Sequence, residues 1–125
     1  MNLKMNKSLS TGSTIGILGG GQLGQMLSIA AARLGFKTHI FEPSANPPAS
    51  IVASKFTQAE YDDYEALKKF SSDVDVVTYE FENIPTRALN VVEKECEIFP
   101  NREALKISQD RLLEKNFINR LGFKT

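Results

Sequence analysis

The ten residues 15–24, IGILGGGQLG, constrain this chain more than any other stretch. A short β-branched run over residues 14–18 meets three consecutive glycines and then a helical period of Leu23, Met26, Leu27, Ala30 and Leu34. That order predicts a strand, a tight turn and an amphipathic helix. Gly19, Gly21 and Gly24 fit G-x-G-x-x-G, a spacing that serves a tight turn, close approach of a ligand and close packing of helix on strand. A helix beginning near Gln22 points unpaired backbone N–H groups and the positive end of its dipole at the same spot. The turn is therefore expected to hold a phosphate-bearing small molecule, against the alternative that the glycines serve the turn alone.

The alternation of strand and helix continues along the chain. Gly35 stands where a left-handed helix cap is wanted, and KTHIF at 37–41 reads as a second strand. Residues 42–50, EPSANPPAS, carry three prolines and must form a loop at a strand's carboxyl end. A short helical turn over 51–54, a third strand over 55–58 and a helix through Tyr64, Leu67, Lys68 and Phe70 come next. VDVVTY at 74–79 predicts a fourth strand, and its β-branched residues suit a sheet covered on both faces. Pro85 suits the first turn of a helix whose inner face is Ala88, Leu89, Val92 and Cys96, and residues 97–99 suggest a fifth strand. After Pro100 the pattern is purely helical, over 102–107 and 110–121, with Leu113, Phe117 and Leu121 at every fourth position and Gly122 as the stop.

Strands alternating with helices imply an α/β fold: a Rossmann-like parallel sheet with helices on both faces and right-handed crossovers. The expected organisation is a polar, frayed tail over 1–13, one domain over 14–108, and a helix over 109–125 leading out of it. With 15 basic and 15 acidic residues the chain has no broad positive field, so nucleic acid is not an expected partner. No apolar run approaches the roughly 20 residues that span a bilayer, and the first 13 residues lack a secretion signal, so a cytoplasmic protein away from membranes is expected. The single cysteine, Cys96, excludes an internal disulfide and reads as a buried thiol.

Several acids fall where a ligand could use them. Glu42 ends the second strand, the place where dinucleotide enzymes keep an acid for the adenosine ribose, which makes an NAD-binding module a rival reading. The proline-laden loop beyond it equally suits a solvated acid. Glu80 and Glu82, directly after the fourth strand, project to one side if extended. They enter the crevice outside the carboxyl ends of the strands, where Glu80 is placed to accept hydrogen bonds from ribose hydroxyls. His39 has no metal-ligand companions and reads as a packed structural histidine. Arg111 and Lys115, interleaved with Asp110 and Glu114, read as a solvated helix face.

Taken together, IGILGGGQLGQM at 15–26, VTYEFENIP at 77–85 and SQDRLLEKNFINRLG at 108–122 resemble N5-carboxyaminoimidazole ribonucleotide synthetase, the ATP-dependent carboxylase of bacterial purine synthesis. The resemblance covers nearly everything from residue 14 onward. It implies a domain of the kind that precedes an ATP-grasp fold, similar to that of biotin carboxylase, with the larger part of the enzyme lying outside these 125 residues. By position it implies that Gly21, Gln22, Leu23 and Glu80 contact 5-aminoimidazole ribonucleotide and that Arg111 reaches ATP. It further implies bicarbonate as co-substrate, magnesium on the triphosphate with ligands elsewhere, and a homodimeric intact enzyme. No catalytic residue or metal ligand is assigned within the chain, which is expected to be inactive alone. A related formate-dependent ribonucleotide transferase usually carries Glu where this chain has Gln22. An NAD-binding module and a non-catalytic interaction domain stay open as alternatives, because a fold alone does not choose a function.

Overall fold

The computed structural model describes residues 8–125. Four strands, β1 (Thr14–Leu18), β2 (Lys37–Glu42), β3 (Lys55–Gln58) and β4 (Val76–Tyr79), form a parallel sheet in the order β3-β2-β1-β4. The chain steps outward from β1 to β3, then returns across the sheet to lay β4 on the other side of β1. The carboxyl ends of β1 and β4 therefore flank a topological switch point, where such sheets open a crevice. The predicted fifth strand contracts to a single parallel bridge between Val77 and Ile98. Its two hydrogen bonds, Val77 N–H to the Glu97 carbonyl and Phe99 N–H to the Val77 carbonyl, are both 2.9 Å, and Pro100 supplies no N–H to extend it.

Side-chain alternation along β1 and β2 separates two cores. Leu18 and Phe41 face α2 (Tyr64–Ser72) and α3 (Thr86–Glu93), packing with Leu67, Phe70, Leu89 and Val92. Ile17 and Ile40 face the other side, with Ala49 from the 3-10 turn Pro48–Ile51. That turn begins earlier than the predicted 51–54, because Pro48 at its first position is already set to the helical φ. Asp63 starts α2 by accepting the Ala66 N–H at 3.0 Å.

Helix α1 (Gln22–Arg33) corrects the expected apolar stripe. Its buried residues are Gly24, Ser28 and Ala31, whereas Leu23, Met26, Leu27 and Leu34 are exposed. Close packing on the sheet is the cause: a Cβ at Gly24 would stand 2.9 Å from the Gly19 carbonyl oxygen. Ser28 satisfies its buried hydroxyl by donating to the Gly24 carbonyl at 2.8 Å.

The described part of the expected tail is residues 8–13. Gly12 N–H donates to the Gly35 carbonyl and Lys37 N–H to the Ser13 carbonyl, both at 2.9 Å, so this segment is fastened beside β2. Met1–Lys7 of that expectation lies outside the described residues. Beyond Pro100, α4 (Arg102–Ser108) buries Leu105 and α5 (Arg111–Arg120) buries nothing. The predicted row Leu113, Phe117 and Leu121 is exposed. Among the described residues no helix is long and apolar enough to cross a membrane.

Candidate functional site

The turn after β1 is built for backbone proximity. Gly19 has φ +105°, and a Cβ there would lie 2.4 Å from Glu80 Cγ, so both conformation and space require glycine. Gly21 caps α1 without any side-chain acceptor of its own, and no acid sits in the first helical turn. The cap comes from the neighbouring strand end. Gly21 N–H donates to Glu80 Oε1 at 2.8 Å and Gly24 N–H to Glu80 Oε2 at 2.5 Å. These charge-assisted bonds place a carboxylate at the positive end of the helix dipole.

A second carboxylate takes the next donor. Gly20 N–H donates to Glu42 Oε2 at 3.0 Å, while Glu42 Oε1 accepts from the Ser44 N–H at 3.1 Å and the Ser44 hydroxyl at 2.8 Å. Glu42 thereby ties the proline loop to the glycine turn, which the Ala49 N–H reinforces on the Gly20 carbonyl at 2.9 Å. The amides expected to cradle a phosphate thus serve two internal acids. With two negative charges already at the helix start, a phosphate in the same position meets repulsion rather than free donors. The anion site foreseen at this turn is filled by the protein itself.

Above these acids lies a crevice of about 420 Å³ lined by Gly21, Glu42, Ser44, Pro47, Glu80 and Phe81, among others. Gln22 and Leu23 come directly after Gly21, at the exposed start of α1. Each Glu80 oxygen accepts one amide, so the carboxylate retains lone pairs for hydroxyl donors. Glu82 does not join Glu80: residues 80–84 bend, and Glu82 lines a different groove of about 440 Å³ with Asn83, Gln109, Arg111 and Glu114. The expectation that both acids share one side fails because the segment is not extended. Arg111 lies at the first position of α5, exposed and paired with Glu114 at 2.7 Å. A cavity of about 470 Å³ at the opposite ends of β1 and β4, lined by Ser13, Asp75 and Cys96, has neither a glycine turn nor a helix start beside it.

A buried histidine and a partly buried tyrosine complete the surroundings. His39 Nε2 is 2.7 Å from Thr57 Oγ1, and its ring stands edge-on to Phe70 with centroids 4.8 Å apart. Burial, and then the Lys55 charge, bring its pKa down to about 4, so it is neutral near pH 7. This is the packed structural histidine that its position suggests. Tyr61 is the residue missed in the sequence. Its ring packs between Phe41 and Phe81, and its buried hydroxyl has no partner among the described residues. Burial foremost, then Glu42, Glu80 and Glu60, raises its pKa well above the ordinary tyrosine value, which keeps the hydroxyl protonated. No periodic signal marks Tyr61 in the sequence.

The groups that the resemblance implies find only part of their sites here. Arg111, the residue that the resemblance implies for ATP, lines its groove together with Glu82 and Glu114. For magnesium, no group of three or more His, Cys, Asp or Glu side chains among the described residues is arranged as a ligand set.

Known proteins share this fold. Residues 12–109 match the family described as ribonucleotide synthetase preATP-grasp domain. An N5-carboxyaminoimidazole ribonucleotide synthase from Brucella melitensis is 51% identical over 118 residues, which cover 94% of this chain and 33% of that protein. The crystal structure of an ADP complex of purK, N5-carboxyaminoimidazole ribonucleotide synthetase, superposes with a TM-score of 0.90 at 41% identity, covering 95% of this chain and 32% of the other. An Aspergillus clavatus N5-carboxyaminoimidazole synthase, in complex with ADP and 5-aminoimidazole ribonucleotide, superposes with a TM-score of 0.80 at 30% identity, over 90% and 30% of the two chains. The chain spans about a third of the length of these proteins. With the family match covering most of its length, and with the parallel sheet and glycine turn described above, the chain belongs to the ribonucleotide synthetase preATP-grasp domain family.

Proposed function

We propose that this chain provides the ribonucleotide-binding face of an ATP-dependent carboxylase that converts 5-aminoimidazole ribonucleotide and bicarbonate to N5-carboxyaminoimidazole ribonucleotide in purine biosynthesis. The observation that carries the reading is the Glu80 carboxylate, fixed by the Gly21 and Gly24 amides at the mouth of the crevice. A carboxylate so held is pre-organised to accept from the vicinal hydroxyls of a ribose without reordering. Gln22 and Leu23, at the exposed start of α1, contact the same molecule. Because the turn amides are engaged by Glu80 and Glu42, the ribose enters here while the 5′-phosphate is held outside the glycine turn.

In the complete reaction ATP transfers its γ-phosphoryl group to bicarbonate, leaving ADP and carboxyphosphate, which breaks down to phosphate and carbon dioxide; the exocyclic amine of the ribonucleotide takes up the carbon dioxide and releases a proton. Arg111 contributes one positive charge to the ATP side, and magnesium is held by residues beyond those described. The intact enzyme is a cytoplasmic homodimer, which sedimentation of the full-length protein checks. The 125-residue chain binds ribonucleotide weakly and does not turn over.

Calorimetric titration with 5-aminoimidazole ribonucleotide and, separately, with NAD tests the assignment. Ribonucleotide binding that Glu80→Gln weakens strongly but measurably is expected; NAD binding in its place favours a dinucleotide module, and binding of neither favours an interaction domain. Glu42, the acid on which a dinucleotide reading depends, already accepts from Gly20 and Ser44. Robust bicarbonate-dependent ATP consumption by this chain alone would overturn its assignment as a binding part.

A further inference from the structure

Between the Glu80 loop and the Arg111 helix lies a side chain to which neither the family resemblance nor the site geometry has given a role. Gln109 ends α4, and its carboxamide nitrogen donates to the Glu82 carbonyl and to the Ile84 carbonyl, each at 2.7 Å. Two acceptors facing one group admit only the NH₂, and both of its hydrogens are used. Glu82 and Ile84 belong to the loop that begins at Glu80. At its near end that loop is held by the Glu80 N–H on the Leu18 carbonyl at 3.1 Å, and at its far end by the buried Ile84 side chain. Gln109 grips the span between them. The next residue, Asp110, caps α5 by accepting the Leu112 and Leu113 N–H groups at 2.8 and 3.0 Å, and Arg111 comes at once after it. Three consecutive side chains therefore grip the loop, start the helix and present the cation.

We propose that Gln109 is a positioning residue that holds the Glu80 loop and the Arg111 helix start in one fixed relation, so that the ribonucleotide and ATP sides of the site are set by a single carboxamide. This rests on the reading of Glu80 as a ribonucleotide contact. Gln109 is exposed, so replacing it removes the tie without opening either core.

Two substitutions separate the chemistry from the shape. Gln109→Glu keeps the size but sets acceptors against two carbonyls, whereas Gln109→Lys restores an N–H donor group. In the full chain, ribonucleotide affinity is read by calorimetry, and amide hydrogen exchange at Gly21 and Gly24 by NMR. Q109E is expected to weaken binding about tenfold and to speed exchange at those two glycines by a similar factor. Q109K should stay within about twofold of the parent on both readouts, and E80Q combined with Q109E should bind no more weakly than E80Q alone. Parent-like behaviour of Q109E, exchange accelerated uniformly over the sheet, additive losses in the double variant, or failure of Q109K to restore would each overturn the proposal. If the parent binds no ribonucleotide, the functional reading fails by itself, and exchange at Gly21 and Gly24 still decides whether Gln109 acts on the loop.

Discussion

The sheet and the terminal helix pair are stabilised in different ways. Around β1 and β2, residues such as Ile17, Leu18, Ile40 and Phe41 are buried on both faces and the glycine turn is stitched by carboxylates. In α4 and α5 only Leu105 is buried, and local caps from Asn101 and Asp110 do much of the organising. Burial ties the first region to the global stability of the domain, while the second can open at little cost. A contact that fixes α5 relative to the sheet therefore acts more on position than on stability.

The largest test of this contrast is Phe70→Ala, which removes a ring packed on both Phe41 and His39. A loss of about 3–5 kcal/mol is expected by urea denaturation; a loss under about 1 kcal/mol would erase the distinction between the two regions. His39 supplies the next. Its folded pKa lies near 4, below the ordinary 6.5, so the unfolded chain takes up a proton first as the pH falls. The neutral native form is favoured above pH 6.5, and its advantage, on the order of 3 kcal/mol, is lost between pH 6.5 and 4. Denaturation curves across that window should show the slope, and His39→Phe should flatten it.

Gly19→Ala probes the turn itself. The added Cβ meets Glu80 at a positive φ, and a cost of about 2 kcal/mol together with lost ribonucleotide affinity is expected from paired thermal and calorimetric measurements. Asp110→Ala should have the smallest effect. Loss of the cap costs α5 about 1 kcal/mol, visible as reduced helical circular dichroism, while the midpoint of sheet unfolding stays put. A matching drop in that midpoint would mean that α5 is coupled to the sheet more strongly than its lack of buried residues implies.

The strands were readable because β-branched runs such as those at 14–18 and 76–79 have no other economical fate in a covered sheet. Helix α1 was readable as a helix but not as to its inner face. Its large apolar residues suggested one side, while the demand for close approach selected Gly24, Ser28 and Ala31. The glycine turn was legible as a backbone shape, and its occupant was not. Glu42 and Glu80 reach it from distant points in the chain, and only the finished sheet brings both carboxylates onto adjacent amides. Gln109 carries no local signature, since its two acceptors appear only when residues 80–84 bend back against the end of α4.

The dual engagement of Glu80 couples folding to ligand chemistry. One carboxylate both joins the end of β4 to the start of α1 and faces the crevice, so the equilibrium for assembling the domain and the equilibrium for filling it share a term. Ligand present at a hundred times its dissociation constant would deepen the native well by about 2.7 kcal/mol. On the proposed reading of Glu80, a substitution at this position is therefore felt twice, once when the chain folds and again when it binds ribonucleotide.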